Sequence, residues 1–573
     1  MEPRRVVLAV VLMAAVLIAS SYFFPTAPTV AKNGAAVTDT LAAGASASAV
    51  PSTAATPNAT TPATASASPP PGAPATVGDS AALAAAPAAI AIDTTVVNTA
   101  RAVFRTSNRG ATLVSAEMTD YKALRDRGRV KGENVELANP GQRLLGFRLV
   151  PVPGDTVRLD TTVFRSARTE EGGVTNVTYS ATVRDRAVSI VYSFLPDSYR
   201  VNVAARVEGA PSNSYLLVDL PQGFRSSEAD PAEDQTHLAY AYKEEAGGAD
   251  GIGFGSLDPG EKQIESGPLS WVVAKNKYFV FGVLVPKGRP GFAELNVTGG
   301  IRDAKAATRA DATAIMPLTN GEAALEIYAG PQEFKRLVAM GREFETSNPY
   351  GGWLQGMVQP FATMVIRALL WMKATLGLSY GWILVLFGVA VRIILWPLNQ
   401  RAMRSSMAMQ RIQPELQALQ AKHKGDPQKL QAEMMKLYKE HDMSPFSSLS
   451  GCLPMLIPLP IFFALFFVFQ NTIEFRGVSF LWLPDISIKD PFYVLPVLVA
   501  ITAMILSYIG MKGIKGNDQQ KMMMYMMPAM MLFIFLNMAS GLNLYYLVQN
   551  LASLPQQWLI AHERGKQTPL VRG

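Results

Sequence analysis

The sequence is nearly without cysteine and histidine. Its 573 residues include one cysteine, Cys452, and four histidines that are scattered along the chain. A single cysteine excludes an intrachain disulfide framework, a zinc site with several cysteines and a lipoprotein-type cysteine near the N-terminus. The scattered histidines argue against a histidine-rich metal site. We therefore expect neither a metal nor an organic cofactor.

Motifs for nucleotide hydrolysis and for serine chemistry are missing as well. We find neither a phosphate-binding G-x-x-x-x-G-K-[ST] loop nor a G-x-S-x-G nucleophile turn. The sequence therefore gives no sign of ATP hydrolysis by this chain, and we expect a protein that is not an enzyme.

Charge is scarce, whereas apolar residues are abundant. Charged residues make up 17% of the chain and hydrophobic residues 49%, against roughly 25% charged residues in an average soluble protein. The net charge is +7, which is compatible with binding to nucleic acid or with basic loops of a membrane protein. The position of the basic residues along the chain decides between these two readings.

The N-terminus predicts a membrane anchor followed by a tether. Arg4 and Arg5 precede the uncharged residues 6–24, a length that suits a spanning helix better than the shorter apolar core of a cleaved signal. We interpret 1–24 as a signal anchor with its N-terminus in the cytoplasm; cleavage near Ala27 or Ala31 is the alternative. Residues 25–92 are rich in Ala, Pro, Ser and Thr, and we expect a disordered linker outside the membrane.

Residues 93–345 predict a large antiparallel β-sandwich. Apolar and polar residues alternate over 188–194 and 199–207 around a turn at Pro196-Asp197, which is typical of paired strands. Further strand candidates are 96–104, 271–285 and 324–328. We find no convergent catalytic set here, and we expect the carboxylates of the polar loops to be solvated: Asp230, Glu233, Asp234, Glu244 and Glu245.

The remaining 230 residues predict helices in and on a membrane. Residues 346–378 are amphipathic and suit a helix that lies in the outer interface. Five charge-poor stretches follow at 380–398, 452–470, 492–511, 522–538 and 542–560. With the anchor they give six spans, so the fold class is a polytopic α-helical membrane protein with a large outer β domain.

The basic loops orient these spans. Segment 399–445 holds eight Lys and Arg, 512–521 holds three Lys, and the tail 563–573 is basic, whereas 471–491 holds Arg476 and Lys489. The positive-inside rule places the basic segments and both termini in the cytoplasm. Topology thus explains the net positive charge, and no specific nucleic acid is expected as a partner.

Arg392 is the most informative single residue. It is the thirteenth of the nineteen residues 380–398, and none of the six predicted spans contains Asp or Glu. An arginine near the bilayer centre costs about 2.5 kcal/mol or more and usually faces a cavity. The alternative is that its side chain reaches the inner interface, which is about 9 Å away along the helix. The sequence favours a water-filled groove closed on one side, with Asn543, Tyr545 and Tyr546 as further polar lining.

The cytoplasmic segment 399–445 predicts a helical hairpin. Apolar residues recur at helical spacing on both sides of Lys424-Gly425-Asp426-Pro427, where Asp426 suits a helix N-cap and Pro427 the first helical position. A passive connector is the alternative, but a few residues would suffice to connect two spans. A hairpin of this size favours a docking role.

Several runs resemble the core of the YidC-type membrane protein insertases of bacteria (the YidC/Oxa family). They are VRIILWPLNQRAMRSSMAMQRIQPELQAL, LSGCLPMLIPLPIFFALFF and QQKMMMYMMPAMMLFIFLNMASGLNLYYLVQNLASLPQQWLI. The order of anchor, outer β domain, surface helix and five core spans also matches. The resemblance implies a periplasmic β domain, a five-helix insertase core at 379–562 and location in the inner membrane. It implies insertion and folding of other membrane proteins, alone or beside the Sec translocon.

The resemblance also implies roles for individual residues. Arg392 and Tyr546 match the groove residues of the family, and Gly388 stands where the family has a threonine. The hydrophobic slide along which a client helix leaves maps to Trp396, Leu459, Pro460, Phe462, Ala529 and Ile534. The implied partners are nascent membrane proteins, inner-membrane lipid, the Sec translocon, and the ribosome or signal-recognition machinery through the hairpin.

Two other classes of function are alternatives to this one. A secondary transporter or channel usually has intramembrane ionisable groups for coupling and internal repeats, whereas the predicted spans offer one arginine and no clear repeat. An enzyme of envelope assembly whose β domain binds carbohydrate lacks a paired acid and base in the sequence. Substrate-dependent ion flux in vesicles would favour the transporter or channel. Loss of function on deletion of most of 93–330 would favour the envelope enzyme, because an insertase should keep its core activity.

Overall fold

The computed structural model of the chain describes residues 90–125, 129–303, 306–348, 355–400, 426–440, 459–511 and 518–566, with scattered positions between 412 and 423. The predicted anchor 1–24, nearly all of the linker 25–92, most of the hairpin 399–445 and the end of the tail lie outside the described residues. They stay predictions.

Twenty strands build the N-terminal part of the described chain. They are β1 (Thr94–Asn98), β2 (Ala102–Ser107), β3 (Thr112–Arg125), β4 (Arg129–Glu136), β5 (Gly146–Val152), β6 (Asp155–Arg158), β7 (Arg165–Glu171), β8 (Val174–Val183), β9 (Arg186–Phe194), β10 (Arg200–Val207), β11 (Tyr215–Asp219), β12 (Ala239–Glu244), β13 (Ala249–Gly253), β14 (Lys262–Lys275), β15 (Phe279–Leu284), β16 (Phe292–Gly299), β17 (Arg302–Asp303), β18 (Ala306–Ala307), β19 (Ala310–Pro317) and β20 (Glu322–Pro331).

All strand pairs are antiparallel, which confirms a β-rich domain of antiparallel sheets. One sheet has the order β1-β2-β3-β4, and a 14-stranded sheet follows the path β6-β5-β11-β19-β16-β14-β15-β20-β10-β9-β8-β7, with β12 and β13 joined to β14. The small sheet packs on β8 and β9, where Tyr179 donates to Thr106 and the Phe104 and Phe194 rings lie 5.3 Å apart.

Two of the strand candidates were wrong in extent. The stretch 96–104 contains the turn between β1 and β2, and 271–285 contains the turn between β14 and β15. In the second turn the Asn276 side-chain oxygen accepts hydrogen bonds from the Tyr278 and Phe279 backbone. Asparagine closes such turns locally, so apolar residues on both sides do not require one continuous strand.

The expectation that the loop carboxylates are solvated was wrong for Asp234. This residue lies in α1 (Pro231–Gln235), is 3% exposed and accepts from the Asn276 amide and the Lys277 backbone. Its burial raises the pKa of the Asp234 carboxyl. Neighbouring Glu233 forms an ion pair with the buried Lys277 at 2.7 Å.

In the part of the chain that the structure describes, eight helices with defined bounds follow the strands. They are α2 (Phe334–Met340), α3 (Gln355–Leu376), α4 (Tyr380–Ile394), α5 (Pro427–Glu440), α6 (Leu459–Asn471), α7 (Val494–Met511), α8 (Asp518–Phe535) and α9 (Ser540–Lys566). The axes of α3 and α4 differ by 118°. Helix α9 packs against both α4 and α7, α8 packs on α7, and α6 packs on α3.

Within the described residues, α7 is the one helix that is long and apolar enough to cross a membrane by itself, and the bent pair of α3 and α4 together also qualifies. Helices α6 and α8 contain shorter apolar segments. The structure thus supports a helical region after the β domain, while the count of six spans and five core helices stays a prediction.

The predicted helix start in the cytoplasmic segment is confirmed. Helix α5 begins at Pro427, and the Asp426 side chain accepts a hydrogen bond from the Lys429 backbone at 3.1 Å. This is the N-cap geometry that the sequence indicates, since the cap side chain satisfies a backbone N–H that has no partner within the helix.

Candidate functional site

A stripe of polar side chains lies on one face of α9. Tyr545, Gln549 and Gln556 share this face because they are four and seven residues apart and an α-helix has 3.6 residues per turn. The Gln549 amide donates to the Gly388 carbonyl at 2.8 Å and to the Tyr545 hydroxyl at 3.1 Å. The stripe therefore faces α4.

Arg392 lies against this stripe near the end of α4, half-buried. Its Nη2 donates to Gln556 Oε1 at 2.5 Å, and the Gln556 amide in turn donates to Gln400 Oε1 at 3.0 Å. Gln556 is fully buried. The Arg392 Nε is also buried and has no hydrogen-bond partner among the residues that the structure describes. We call Arg392, Gln400, Tyr545, Gln549 and Gln556 the arginine cluster.

Gly388 brings α4 and α9 together beside this cluster. A Cβ atom at Gly388 would lie 3.0 Å from Cγ1 and 3.3 Å from Cβ of Val548. The position thus holds a glycine because the facing helix leaves little room for a side chain. Trp396 follows the end of α4, and its carbonyl oxygen lies 3.5 Å from the Gln556 amide nitrogen.

A second cluster consists of aromatic rings from three helices. The Tyr546 ring lies 5.6 Å from Phe462 of α6, 5.0 Å from Phe535 of α8 and 5.4 Å from Tyr545. We call Phe462, Phe535, Tyr545 and Tyr546 the aromatic cluster. Tyr545 belongs to both clusters, and Tyr546 precedes Gln556 by ten residues, so these last two residues lie about 15 Å apart along α9.

The other predicted site residues surround the aromatic cluster or lie on its helices. Asn543 is fully buried; its amide donates to the Phe535 carbonyl at 3.1 Å, and its side-chain oxygen has no partner among the described residues. On α8, Ala529 is exposed and Ile534 half-buried. Leu459 and Pro460 begin α6, and their side chains lie outside what the structure describes.

The opposite end of the helical region is covered by the segment 472–493. Phe480 lies so close to Gly381 that a Cβ there would meet its ring at 2.0 Å, and it forms an edge-to-face contact with Trp382 at 5.4 Å. The backbone of Ser540 and Gly541, at the start of α9, donates to Ile488 and Ile486 at 2.7 and 2.8 Å. This segment therefore closes the first turns of α4 and α9, whereas Arg392 lies toward the other end.

Sequence reasoning missed the glutamines that contact Arg392 and Gly388. Gln549 and Gln556 are seven residues apart in a predicted span that also contains Asn543, Asn550, Ser553 and Gln557, and this spacing places both glutamines on one helix face. Polar residues at this spacing in a span point to a common cavity or a common partner helix. Gln400 was outside the predicted span and gave no such signal.

The chain matches two family models and many known relatives. The model described as "60Kd inner membrane protein" matches residues 371–567, and the model "YidC periplasmic domain" matches residues 91–364. Membrane protein insertase YidC of Chlorobium phaeovibrioides is 33% identical over 400 residues, which cover 66% of this chain and 67% of the relative. That of Chlorobaculum tepidum is 32% identical over 396 residues, 65% of each chain.

Among solved structures, the active YidC insertase crystal structure with the first transmembrane domain resolved is 18% identical, with a TM-score of 0.32, over 81% of this chain and 92% of that chain. The alignment with the Chlorobaculum tepidum relative spans just under two thirds of that protein. The two family models lie in the order that the sequence resemblance implies, β domain first and helical region second. The chain belongs to the YidC family of membrane protein insertases.

Proposed function

We propose that this chain inserts integral membrane proteins into the bacterial inner membrane and helps them fold. The observation that carries the proposal is the arginine cluster, in which a half-buried guanidinium contacts an amide and keeps a buried donor without a partner among the described residues. Such a cation attracts a passing carboxylate or a polar backbone, because both supply acceptors that a guanidinium needs.

The closed end supports passage from one side. With the predicted orientation, segment 472–493 lies on the periplasmic side, and Arg392 lies toward the cytoplasm. A polar client tail then enters from the cytoplasm and meets the arginine before it crosses the remaining apolar layer. An acidic tail that moves outward across an inside-negative potential gains about 2.3 kcal/mol per charge per 100 mV, so no ATP hydrolysis by this chain is needed.

The apolar part of the client leaves along the slide. In this proposal Trp396, Leu459, Pro460, Phe462, Ala529 and Ile534 supply the surface that a client helix follows into lipid, while Tyr546 lines the groove beside it. The Phe462 ring and the aliphatic side chains suit this role because they offer apolar area without hydrogen-bonding groups that would hold the client. Transfer of the client helix into the bilayer interior supplies a further driving force.

The proposal includes partners and topology. Both termini are cytoplasmic, the β domain is periplasmic, and the hairpin 399–445 receives clients from the ribosome or the signal-recognition machinery. The chain acts alone or beside the Sec translocon. The described part of the hairpin supports an ordered docking element, since Leu437 and Tyr438 of α5 are buried.

The experiment uses the purified full chain in liposomes with a single-span client that has a short acidic tail. Protease protection of the tail measures insertion. We expect protection to rise with the protein and to fall at least fivefold in Arg392→Ala. The matched control is Ile393→Ala, which truncates the adjacent exposed side chain of the same helix and should insert as the wild type does.

Two results would contradict the proposal. Protection equal to that of empty liposomes, both with and without added translocon, would remove insertion as the function. Equal protection by wild type and Arg392→Ala would remove the arginine cluster from the mechanism. Insertion that depends on the translocon alone would restrict the protein to a chaperone role beside it.

A further inference from the structure

A small cavity lies where α3 ends and α4 begins. Its volume is about 250 Å³, which is below the usual ~300–1,000 Å³ of pockets for drug-sized ligands. The polar residues at its wall come from β3, α2, α3, α4 and the turn after α6: Tyr121, Glu333, Lys335, Lys373, Tyr380 and Glu474. We call these six residues the hinge pocket, because the helix axes on its two sides differ by 118°.

One carboxylate oxygen of the hinge pocket has no hydrogen-bond partner among the described residues. Glu333 accepts from the Tyr121 hydroxyl at 2.5 Å and pairs with Arg336, so both of its oxygens are used. Glu474 accepts from the Phe334 backbone at 3.2 Å through Oε1, while its Oε2 is buried without a hydrogen-bond partner among the described residues. A buried carboxylate oxygen without a donor costs free energy. A cationic donor that enters the pocket would therefore be stabilised by Glu474.

The same pocket presents two ammonium groups at its wall. Lys373 Nζ donates to the Leu378 carbonyl at 2.8 Å and lies 5.3 Å from the centre of the Tyr380 ring. This bond uses one of its three donors. Lys335 is exposed at the start of α2. The pocket thus combines a site for a cation at Glu474 with a site for an anion at the two lysines.

Helix α3 shows what surrounds the pocket. On one face Val358, Val365 and Leu369 are buried, whereas Met364 and Trp371 on the opposite face are 58% and 67% exposed. The exposed face also holds Arg367, so α3 packs on protein with one face and presents apolar and basic side chains on the other, as suits a helix at the lipid–water interface. Exposed tryptophan is typical of the headgroup level.

We propose that the hinge pocket binds the headgroup of an ethanolamine phospholipid, with the ammonium at Glu474 and the phosphate at Lys373 and Lys335. The proposal rests on the orientation given under Proposed function, which puts the start of α4 at the outer interface. A primary ammonium donates hydrogen bonds to a carboxylate, which the methylated ammonium of choline cannot do. A glycerol headgroup has no cation for Glu474.

The test measures which lipid stays on the purified full chain. The protein is solubilised from vesicles that contain equal amounts of phosphatidylethanolamine, phosphatidylcholine and phosphatidylglycerol with identical acyl chains, and bound lipid is counted by mass spectrometry. We expect about tenfold more ethanolamine lipid than choline lipid, which is the effect of one charge-assisted hydrogen bond.

Three variants locate the effect. Glu474→Gln keeps an acceptor for the Phe334 backbone and removes the charge, so the preference for ethanolamine lipid should fall to about one. Lys373→Gln should lower retention of ethanolamine and choline lipids alike, because both have the same phosphate. Glu208→Gln, an exposed change on the β domain, is the control and should behave as wild type.

Equal retention of the ethanolamine and choline lipids by the wild type would overturn the proposal, as would an unchanged preference in Glu474→Gln. Preferred retention of phosphatidylglycerol would replace it with simple anion binding by the lysines. No client protein is present, so these results do not depend on insertion activity. Size-exclusion profiles verify that each variant is folded.

Discussion

Two arginines of this chain are withdrawn from water in different ways. Arg476, in the segment that covers the closed end, has a side chain that is 4% exposed. Its Nε lies 2.9 Å from both carboxylate oxygens of Glu228, and its Nη2 donates to the Ser227 carbonyl at 3.2 Å. The Phe279 ring lies 5.6 Å away. The β domain thus supplies the counter-charge of this guanidinium, a carbonyl acceptor and an aromatic contact.

Arg392 is held far less completely. Its one described side-chain hydrogen bond goes to the neutral amide of Gln556, and its Nε has no partner among the described residues. A buried ion pair with complementary hydrogen bonds is a fixed part of the fold, whereas a cation without a carboxylate keeps binding capacity for something else. The difference indicates a structural role for Arg476 and supports the binding role that we propose for Arg392.

The largest effect is expected when Arg476 is removed. Arg476→Ala leaves Glu228 buried without its counter-charge. Since burial already raises the pKa of Glu228 to about 7, this carboxyl can take up a proton, and we expect about 3 kcal/mol of lost unfolding free energy, the lower end for a broken buried pair. Thermal unfolding of the full chain in detergent should show an apparent Tm lower by roughly 6 °C. The insertion yield per folded molecule should stay near that of the wild type.

A compensated variant sharpens this prediction. Arg476→Met combined with Glu228→Leu replaces the pair by apolar side chains and should recover most of the lost Tm. If the single and the double variant are equally unstable, the pair itself is not what holds the segment to the β domain.

The next effect concerns the contact of α4 with α9. Gly388→Thr places side-chain atoms against Val548, where a Cβ already meets Cγ1 at 3.0 Å, and should cost ~1–3 kcal/mol by overpacking. Adding Val548→Ala should restore the apparent Tm measured in detergent. A threonine that is tolerated without any change at Val548 would show that the two helices separate easily here.

Adding a carboxylate beside Arg392 tests whether the lack of a counter-charge is what leaves this arginine available to a client. Gln556→Glu gives Arg392 the carboxylate that Arg476 already has, so an acidic client tail must now compete with it. We expect about tenfold less insertion of acidic-tailed clients, which corresponds to ~1.4 kcal/mol. The new ion pair should offset most of the loss of the amide donor to Gln400, so the Tm should change little. Gln557→Glu, one residue further along, is the control in the same protease-protection assay.

The smallest effect is a pH dependence at the hinge pocket. Burial raises the pKa of Glu474 from 4.5 to about 7. Between these values the folded chain keeps a proton that the unfolded chain has lost, so stability falls as pH rises from about 4.5 to 7 and is level above that.

Because the buried Glu474 side chain can turn into the adjoining pocket when it ionises, we expect about 1 kcal/mol from this group. The measurement is Tm against pH in choline lipid, and Glu474→Gln should flatten the curve by that amount. A slope that is the same in the variant would assign the dependence to other buried acids, for example Asp234 or Asp485, whose pKa values burial also raises.

The sequence predicted those features that depend on local pattern. The hairpin of β9 and β10 pairs Val201 with Phe194, as the alternation on both sides of Pro196-Asp197 implies, and the cap at Asp426 follows from its own residues. Arg392 stood out because a charge in an apolar run is visible without any structure. The antiparallel β domain and the family were likewise predicted correctly.

Long-range packing could not be obtained in this way. The partner of Arg392 is Gln556, 164 positions later in the chain. The sequence pattern around a glutamine in a span does not indicate which helix the side chain contacts. The sequence predicted a solvated loop position for Asp234, whereas the fold buries this residue beside Asn276, which is 42 positions away and donates a hydrogen bond to it. The need for a glycine at position 388 also depends on a distant residue, because Val548 of the facing helix limits the space for a side chain there.

The central claim is that the Arg392 guanidinium attracts the acidic residues of a client tail during insertion. The most direct measurement is protease protection of clients whose tails carry zero, one, two or three acidic residues, with wild type and Arg392→Ala in the same liposomes. The ratio of wild-type to variant insertion should be near one for the neutral tail and rise with each acid. An equal ratio for all four tails would contradict the claim and reduce Arg392 to a structural residue like Arg476.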